Sequence, residues 1–199
     1  MTGEIVTAGT GVRPRGAGRA QLHDVALRLF AVHGVEGTSL QAIADEMGVS
    51  KAAFYYHYKS KDDLVLGILA PLTGQLGAVM ERTRARRGRQ ARLDEFIVGL
   101  VDLALDSHDQ FAMMLGDPAV ARILHAHALS QGWADLLELV CPASEGDRST
   151  RIALLLFATG LLCPIRDPDL ADVDRETLRE TLIDAGRRLL RVRRPPTAE

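Results

Sequence analysis

Apolar residues recur three and four positions apart through most of this chain, and no stretch alternates in the period-two manner of a half-buried strand. Leu22, Val25, Ala26, Leu29 and Phe30 form the first stripe, which predicts an amphipathic helix from Arg19 to about His33, ended by Gly34. A second stripe, Leu40, Ile43, Ala44 and Met47, predicts a short helix of about 40–47, with Thr38 and Gln41 at the spacing of a capping box. Gly48 suits the tight exit from that helix, and Ser50 suits the N-cap of another, Lys51–Tyr58. Phe54 and Tyr58, four apart, would pack that helix inward, leaving Lys51, Ala53, Tyr55, Tyr56 and His57 around the rest of its circumference.

Downstream the stripes lengthen. Ser60 precedes a helix from Lys61 to roughly Arg86, acidic in its first turn and apolar along Leu64, Val65, Ile68, Leu69, Leu72, Leu76 and Val79. Pro71 should kink or break it, because proline lacks the N–H and crowds the preceding turn. Further helices are predicted at about 91–107, 108–115, 118–140, 148–162 and 174–194, with Pro118 at a first turn and Pro195-Pro196 as a stop. The 148–162 segment is apolar almost all round, so it should be buried on more than one side. The expected fold is all-α, about nine helices. Its expected parts are a flexible arm over 1–18, a small three-helix unit over 19–62, a larger helical domain over 63–194 and a tail over 195–199.

Two short helices joined by a Gly-containing turn, the second presenting its N-terminal end, have the geometry that enters a DNA major groove. An ordinary helical corner has the same spacing, so the pattern alone leaves both readings open. Charge does not choose between them. The formal net charge is −2, and residues 1–66 hold seven basic and seven acidic side chains. A DNA-binding unit would therefore have to turn its acids away from phosphate. Arg13, Arg15 and Arg19 in the arm are candidates to track phosphate or a minor groove, against the plain reading of a solvated tail.

Other chemistries find little support. The chain has no phosphate-binding loop, dinucleotide fingerprint or nucleophile elbow, so catalysis and a cofactor are not expected. Cys141 and Cys163 make no metal or disulfide pattern, and His125 and His127 fall on different faces of a helix, so no metal site is expected. The absence of an 18-residue uncharged apolar run and of a signal-peptide pattern points to a cytoplasmic protein with no membrane partner.

The run from Leu29 to Leu40, then Ile43-Ala44, Gly48-Val49-Ser50-Lys51, Phe54-Tyr55, Tyr58-Lys59-Ser60-Lys61 and Leu64, resembles almost continuously the N-terminal domain of the TetR family of bacterial transcriptional regulators. The resemblance implies an all-helical homodimer that binds an operator in double-stranded DNA, most often as a repressor released by a small-molecule effector. An activator, or a regulator with no effector, is the alternative. It implies DNA contacts by Thr38, Gln41, Ser50, Lys51, Ala53, Tyr55, Tyr56, His57 and Lys61. Thr38, Ser50 and Lys61 would meet phosphate, and Lys51 and Ala53 sit where base-reading side chains are usual. Many relatives carry threonine or glycine within the Ala52-Ala53 pair, so direct polar readout should be poor there. An effector pocket would be lined by Phe96, Leu100, Phe111, Met114, His125, Trp133 and Phe157, against the plain reading that each is core packing. Ile152, Leu155, Leu156, Leu178, Leu182 and Leu189, on the last two main helices, would form the dimer interface.

Overall fold

The computed structural model describes residues 15–127, 130–142 and 148–192, and within them the chain is helices and turns only. The elements are α1 (Arg15–Gly37), α2 (Leu40–Glu46), α3 (Lys51–His57), α4 (Lys61–Ala85), α5 (Arg89–Asp106), α6 (His108–Gly116), α7 (Pro118–Ala126), α8 (Ser130–Val140), α9 (Arg148–Gly160), α10 (Leu162–Arg166), a 3₁₀ turn at Pro168–Leu170 and α11 (Arg175–Leu189). The all-α expectation holds. Arg13, the 195–199 tail and the side chains of Arg15 and Trp133 lie outside the described residues.

Several boundaries differ from the sequence reading, each for a local reason. The first helix starts at Arg15, inside the expected arm. Gly34 does end its regular part, with φ 70° and ψ 168°, a conformation that costs a residue without Cβ little. The single helix expected over 118–140 is two, because at His127 the backbone leaves helical geometry and a ring nitrogen takes the Ile123 carbonyl at 2.9 Å. Pro71 does not break α4, which is assigned as one helix of 25 residues with Pro71 on its exposed side.

α4 and α5 are the axis of the larger domain. α4 packs on α1, α5, α6, α7 and α8, and α5 packs on α4, α6, α8 and α11. Leu64, Val65, Ile68, Leu69, Leu72, Leu76 and Val79 are all buried, as are Leu93, Phe96, Ile97, Leu100 and Val101 facing them. Two glycines set how closely the helices approach. A Cβ on Gly99 of α5 would stand 2.7 Å from Val79 of α4, and one on Gly186 of α11 would stand 2.6 Å from Phe157 of α9. Neither position leaves room for even a methyl group without a shift of its neighbours.

α11 is locked to α5 by charge. Arg187 pairs in two-pronged fashion with Asp94 (2.7 and 3.3 Å), Arg179 does the same with Asp102 (2.5 and 3.1 Å), and Arg175 bonds Asp106. Such planar pairs are stronger and more directional than a lysine contact. The bond from Asp94, working against burial, raises the Arg187 guanidinium above its ordinary range, and Asp102 does the same to Arg179.

By length and composition, two helical runs, Lys61–Ala85 and Arg148–Arg166, are apolar enough to cross a membrane. For α4 the reason is visible: its apolar face is the core just described. α9 differs, because Ile152, Leu155 and Leu156 are exposed, the first and last by about 60%. Together with exposed Thr159 they trace one helical stripe, and α11, which packs beside α9, adds exposed Thr181, Ala185 and Leu189. Of the residues expected at a dimer interface, Leu178 is half-buried, while Leu182 is buried in the chain's own core and has no surface to offer a partner. The apolar period of α11 carried both faces, and Leu182 belongs to the inner one.

Candidate nucleic-acid interface

α1, α2 and α3 pack around Leu22, Val25, Ala26, Phe30, Val35, Ile43, Ala44, Phe54 and Tyr58, a small apolar centre closed by the start of α4. α2 and α3 are each only seven residues, too short to persist alone. Their ends are therefore fastened. Ser39 accepts from Ala42 N (3.0 Å), Ser50 from Ala53 N (3.2 Å) and Ser60 from Asp63 N (3.0 Å), so each helix from α2 to α4 has a serine N-cap. Gly48, at φ 63°, turns the chain between α2 and α3.

Ser39, not Thr38, caps α2. Thr38 is buried, and its hydroxyl donates to Gly34 O (2.8 Å) and Leu29 O (3.3 Å), so the capping box expected at Thr38 and Gln41 does not form. The same burial removes Thr38 from the surface a phosphate would reach. Gln41 is exposed and donates to Asp45 one turn on (2.7 Å).

What α3 presents outward is its leading end and one flank. Lys51, Ala52, Ala53, Tyr55, Tyr56 and His57 are all exposed, Tyr56 by 83%. Phe54 is the one residue of α3 turned fully inward. Lys51 Nζ stands 5.8 Å from the centre of the Tyr55 ring, and His57 meets Tyr56 edge-on. A cation, two phenols and an imidazole on one short helix can serve both phosphate oxygens and base edges.

Three of this unit's acids, Glu36, Asp45 and Glu46, have partners, while Asp24 stays exposed on α1. Glu36 pairs with Arg122 of α7 (2.5 Å), Glu46 with Arg28 (3.8 Å), and Asp45 accepts from Gln41. Asp62 and Asp63 lie in the first turn of α4, where the helix dipole favours negative charge.

Two clusters behind α3 were not legible in the sequence. The first is built on Tyr58. Its hydroxyl accepts from Arg19 Nε (2.8 Å) and lies in hydrogen-bond contact with His23 Nε2 (2.5 Å). Burial first, then the charge of Arg19, hold His23 below its ordinary value, with Asp24 opposing. The Tyr58 ring lies on Gly67 of α4, where a Cβ would come within 2.5 Å of the hydroxyl oxygen. The second cluster grips the end of α1. Lys61 Nζ donates to Val35 O (2.7 Å) and Glu36 O (3.2 Å), so its ammonium is committed inside the unit rather than held out to phosphate.

Most of the residues expected to line an effector pocket are packed in the interior. Phe96, Leu100 and Phe111 are fully buried, Phe157 is nearly so, Met114 is half-buried and His125 is exposed. Four clefts among the described residues are lined by other side chains. One, of about 490 Å³, lies where α1 meets α6 and α7, beside Gly34, Val35 and Asp117.

Among the described residues, a serine-capped helix-turn-helix with an exposed, aromatic-rich second helix has the form of a DNA-binding unit. Residues 22–68 match the family of bacterial regulatory proteins, tetR family, and over that stretch the chain carries the family's N-terminal domain. It is similar to the HTH-type transcriptional regulator AcrR of Shigella flexneri, 52% identical over 46 residues, 23% of this chain and 21% of that one. It is also similar to the HTH-type transcriptional repressor Rv1474c of Mycobacterium tuberculosis, 28% identical over 120 residues, 60% of this chain and 58% of that one. The chain thus aligns with less than two thirds of either relative.

Among solved structures, SCO3833 of Streptomyces coelicolor A3, a TetR family member, shares the fold at TM-score 0.63 and 21% identity, over 95% of this chain and 94% of that one. The regulator FadR of Bacillus subtilis, in complex with stearoyl-CoA, shares it at TM-score 0.55 and 14% identity, over 84% of this chain and 96% of that one.

Proposed function

We propose that this chain is a dimeric transcriptional repressor, acting in the cytoplasm, whose two α3 helices occupy successive major grooves of a palindromic operator. The observation that carries the reading is the outward face of α3, where Lys51, Tyr55, Tyr56 and His57 stand exposed and no other part of the described chain covers them. Residues 19–62 would form the DNA-reading part and 63–194 the part that pairs and responds. Ser50 and Gln41 add polar contacts at the groove edge. Ala53 offers only its methyl, so DNA shape contributes to the choice of site.

Dimerisation is assigned to the exposed stripe of α9, Ile152, Leu155 and Leu156, with Leu189 of α11 and half-buried Leu178 beside it. Four large aliphatic side chains exposed on adjacent helices are what a partner copy would remove from water. Release by a small apolar or amphipathic molecule is supported by the neighbour holding stearoyl-CoA, which makes an acyl thioester the first ligand to try. The full burial of Phe96, Leu100 and Phe111 favours a second reading, a regulator that needs no small molecule.

The test is selection of a duplex from a random-sequence pool by the purified protein, followed by titration at several salt concentrations. Tyr56→Ala and Lys51→Ala should each weaken the selected duplex more than a random one, by roughly tenfold or more for a lost base contact. Equal losses on both duplexes would limit the two residues to phosphate contact, and binding unchanged by both would remove α3 as the reading helix. Addition of stearoyl-CoA should lower affinity if an effector acts. No effect, with no shift in melting temperature, favours the second reading.

A further inference from the structure

The regulatory helices touch the DNA-reading unit through more than α4. Beyond the kink at Gly34, the last turn of α1, residues 34–37, shares its polar groups with neighbouring Thr38 and with two distant side chains. Thr38 takes the Gly34 carbonyl, Lys61 takes the carbonyls of Val35 and Glu36, and the Val35 N–H donates to Asp117 Oδ2 at 2.8 Å, across 82 residues. Asp117 is also the N-cap of α7, its other carboxylate oxygen accepting from Ala119 N at 2.8 Å. One carboxylate therefore ends α1 with one oxygen and begins α7 with the other.

The geometry points to Asp117 as the positioning residue through which the α6–α7 turn sets the attitude of the DNA-reading unit. The proposal rests on the regulator reading above. Three features support it. Asp117 lies in the two-sided turn between α6 and α7, so any displacement of those helices moves it directly. Gly34 supplies the turn immediately before the contact, since its φ of 70° is one that residues with a Cβ rarely adopt. The cleft of about 490 Å³ beside Gly34, Val35 and Asp117 gives the segment space in which to shift. The neighbouring Arg122–Glu36 pair spans the same junction, but both side chains are more than half exposed and water screens it.

A dimer gains from a two-site operator only if its second unit is already near the second half-site. Loosening the junction should therefore cost affinity for the full site and leave a single half-site alone. Asp117→Ser keeps a good N-cap for α7 but is too short to reach Val35. Asp117→Asn keeps the cap with its single oxygen and sets an amide donor against the other N–H.

The probe is the duplex selected by the wild-type protein, and the same duplex with one half-site scrambled. Both variants are expected to bind the full site roughly five- to tenfold more weakly, with half-site affinity and melting temperature near wild type. Equal losses on both duplexes, or a ratio unchanged from wild type in the variant that folds, overturns the proposal. A wild-type protein that selects no duplex overturns the regulator reading and this proposal together.

Discussion

Gly67→Ala separates two physical effects that point in opposite directions. Gly67 lies inside α4, so helix propensity alone predicts that alanine stabilises the protein by about 1 kcal/mol. The structure predicts the reverse. A Cβ at residue 67 would stand 2.5, 2.7 and 2.9 Å from three atoms of the Tyr58 ring, distances that real carbon atoms do not tolerate. The ring is buried and cannot swing into solvent. Moving it breaks its hydrogen bonds with Arg19 and His23 and displaces the end of α3. Overpacking of this kind costs about 1–3 kcal/mol and each of the two lost hydrogen bonds about 1 kcal/mol, so the net result should be destabilisation by about 2–4 kcal/mol after the propensity gain. Urea denaturation followed by circular dichroism measures it, and Tyr58→Phe in the same background should recover part of the loss by removing the closest atom. A Gly67→Ala protein as stable as wild type or more so would refute the packing argument.

Two further outcomes are expected. Leu156→Glu places a charge on the exposed stripe of α9, where Leu156 touches little of its own chain, so sedimentation should show monomer with the melting temperature of the subunit fold little changed; a persistent dimer would move the interface elsewhere. His23 has a folded-state pKa below its ordinary 6.5, so the unfolded chain binds the proton more readily, and its contribution to stability is complete above about pH 6.5 and lost as pH falls through the folded value. Stability should accordingly drop less steeply on acidification in His23→Gln than in wild type; parallel curves from about pH 7 to 5 would show that the Tyr58 contact does not depend on a neutral imidazole.

The parts of this fold that repeat locally could be read from the chain. Apolar stripes marked α1, α4, α5 and α11, and Ser50 and Ser60 marked two helix starts, because a cap and a stripe are set by neighbours a few residues away. Thr38 and Ser39 show where that stops. Either residue could cap α2, and what decides between them is that the methyl and hydroxyl of Thr38 are drawn under α1. Leu182 and Leu189 likewise share an apolar period, and only the packing of α11 on α5 turns one inward and leaves the other outside. Lys61 fits a phosphate-contact pattern, yet its ammonium finds two carbonyls at the end of α1. Pro118 announced the start of α7, while the bond from the Val35 N–H to Asp117 joins residues too far apart for any local signal. The Tyr58 cluster is hidden in the same way, since α1 and α3 meet there only through the fold.

The arginine–aspartate pairs between α5 and α11 act as a vernier. Their positions step antiparallel, 187 with 94, 179 with 102 and 175 with 106, and the rung left out of the series sets Ile183 opposite Val98. Sliding α11 by one turn in either direction would bring Ile183 against an aspartate, so only one alignment satisfies every rung. The outward stripe of α11 is thereby aimed before any second molecule arrives, and mutations that redecorate that stripe can change whom it meets without changing where it points.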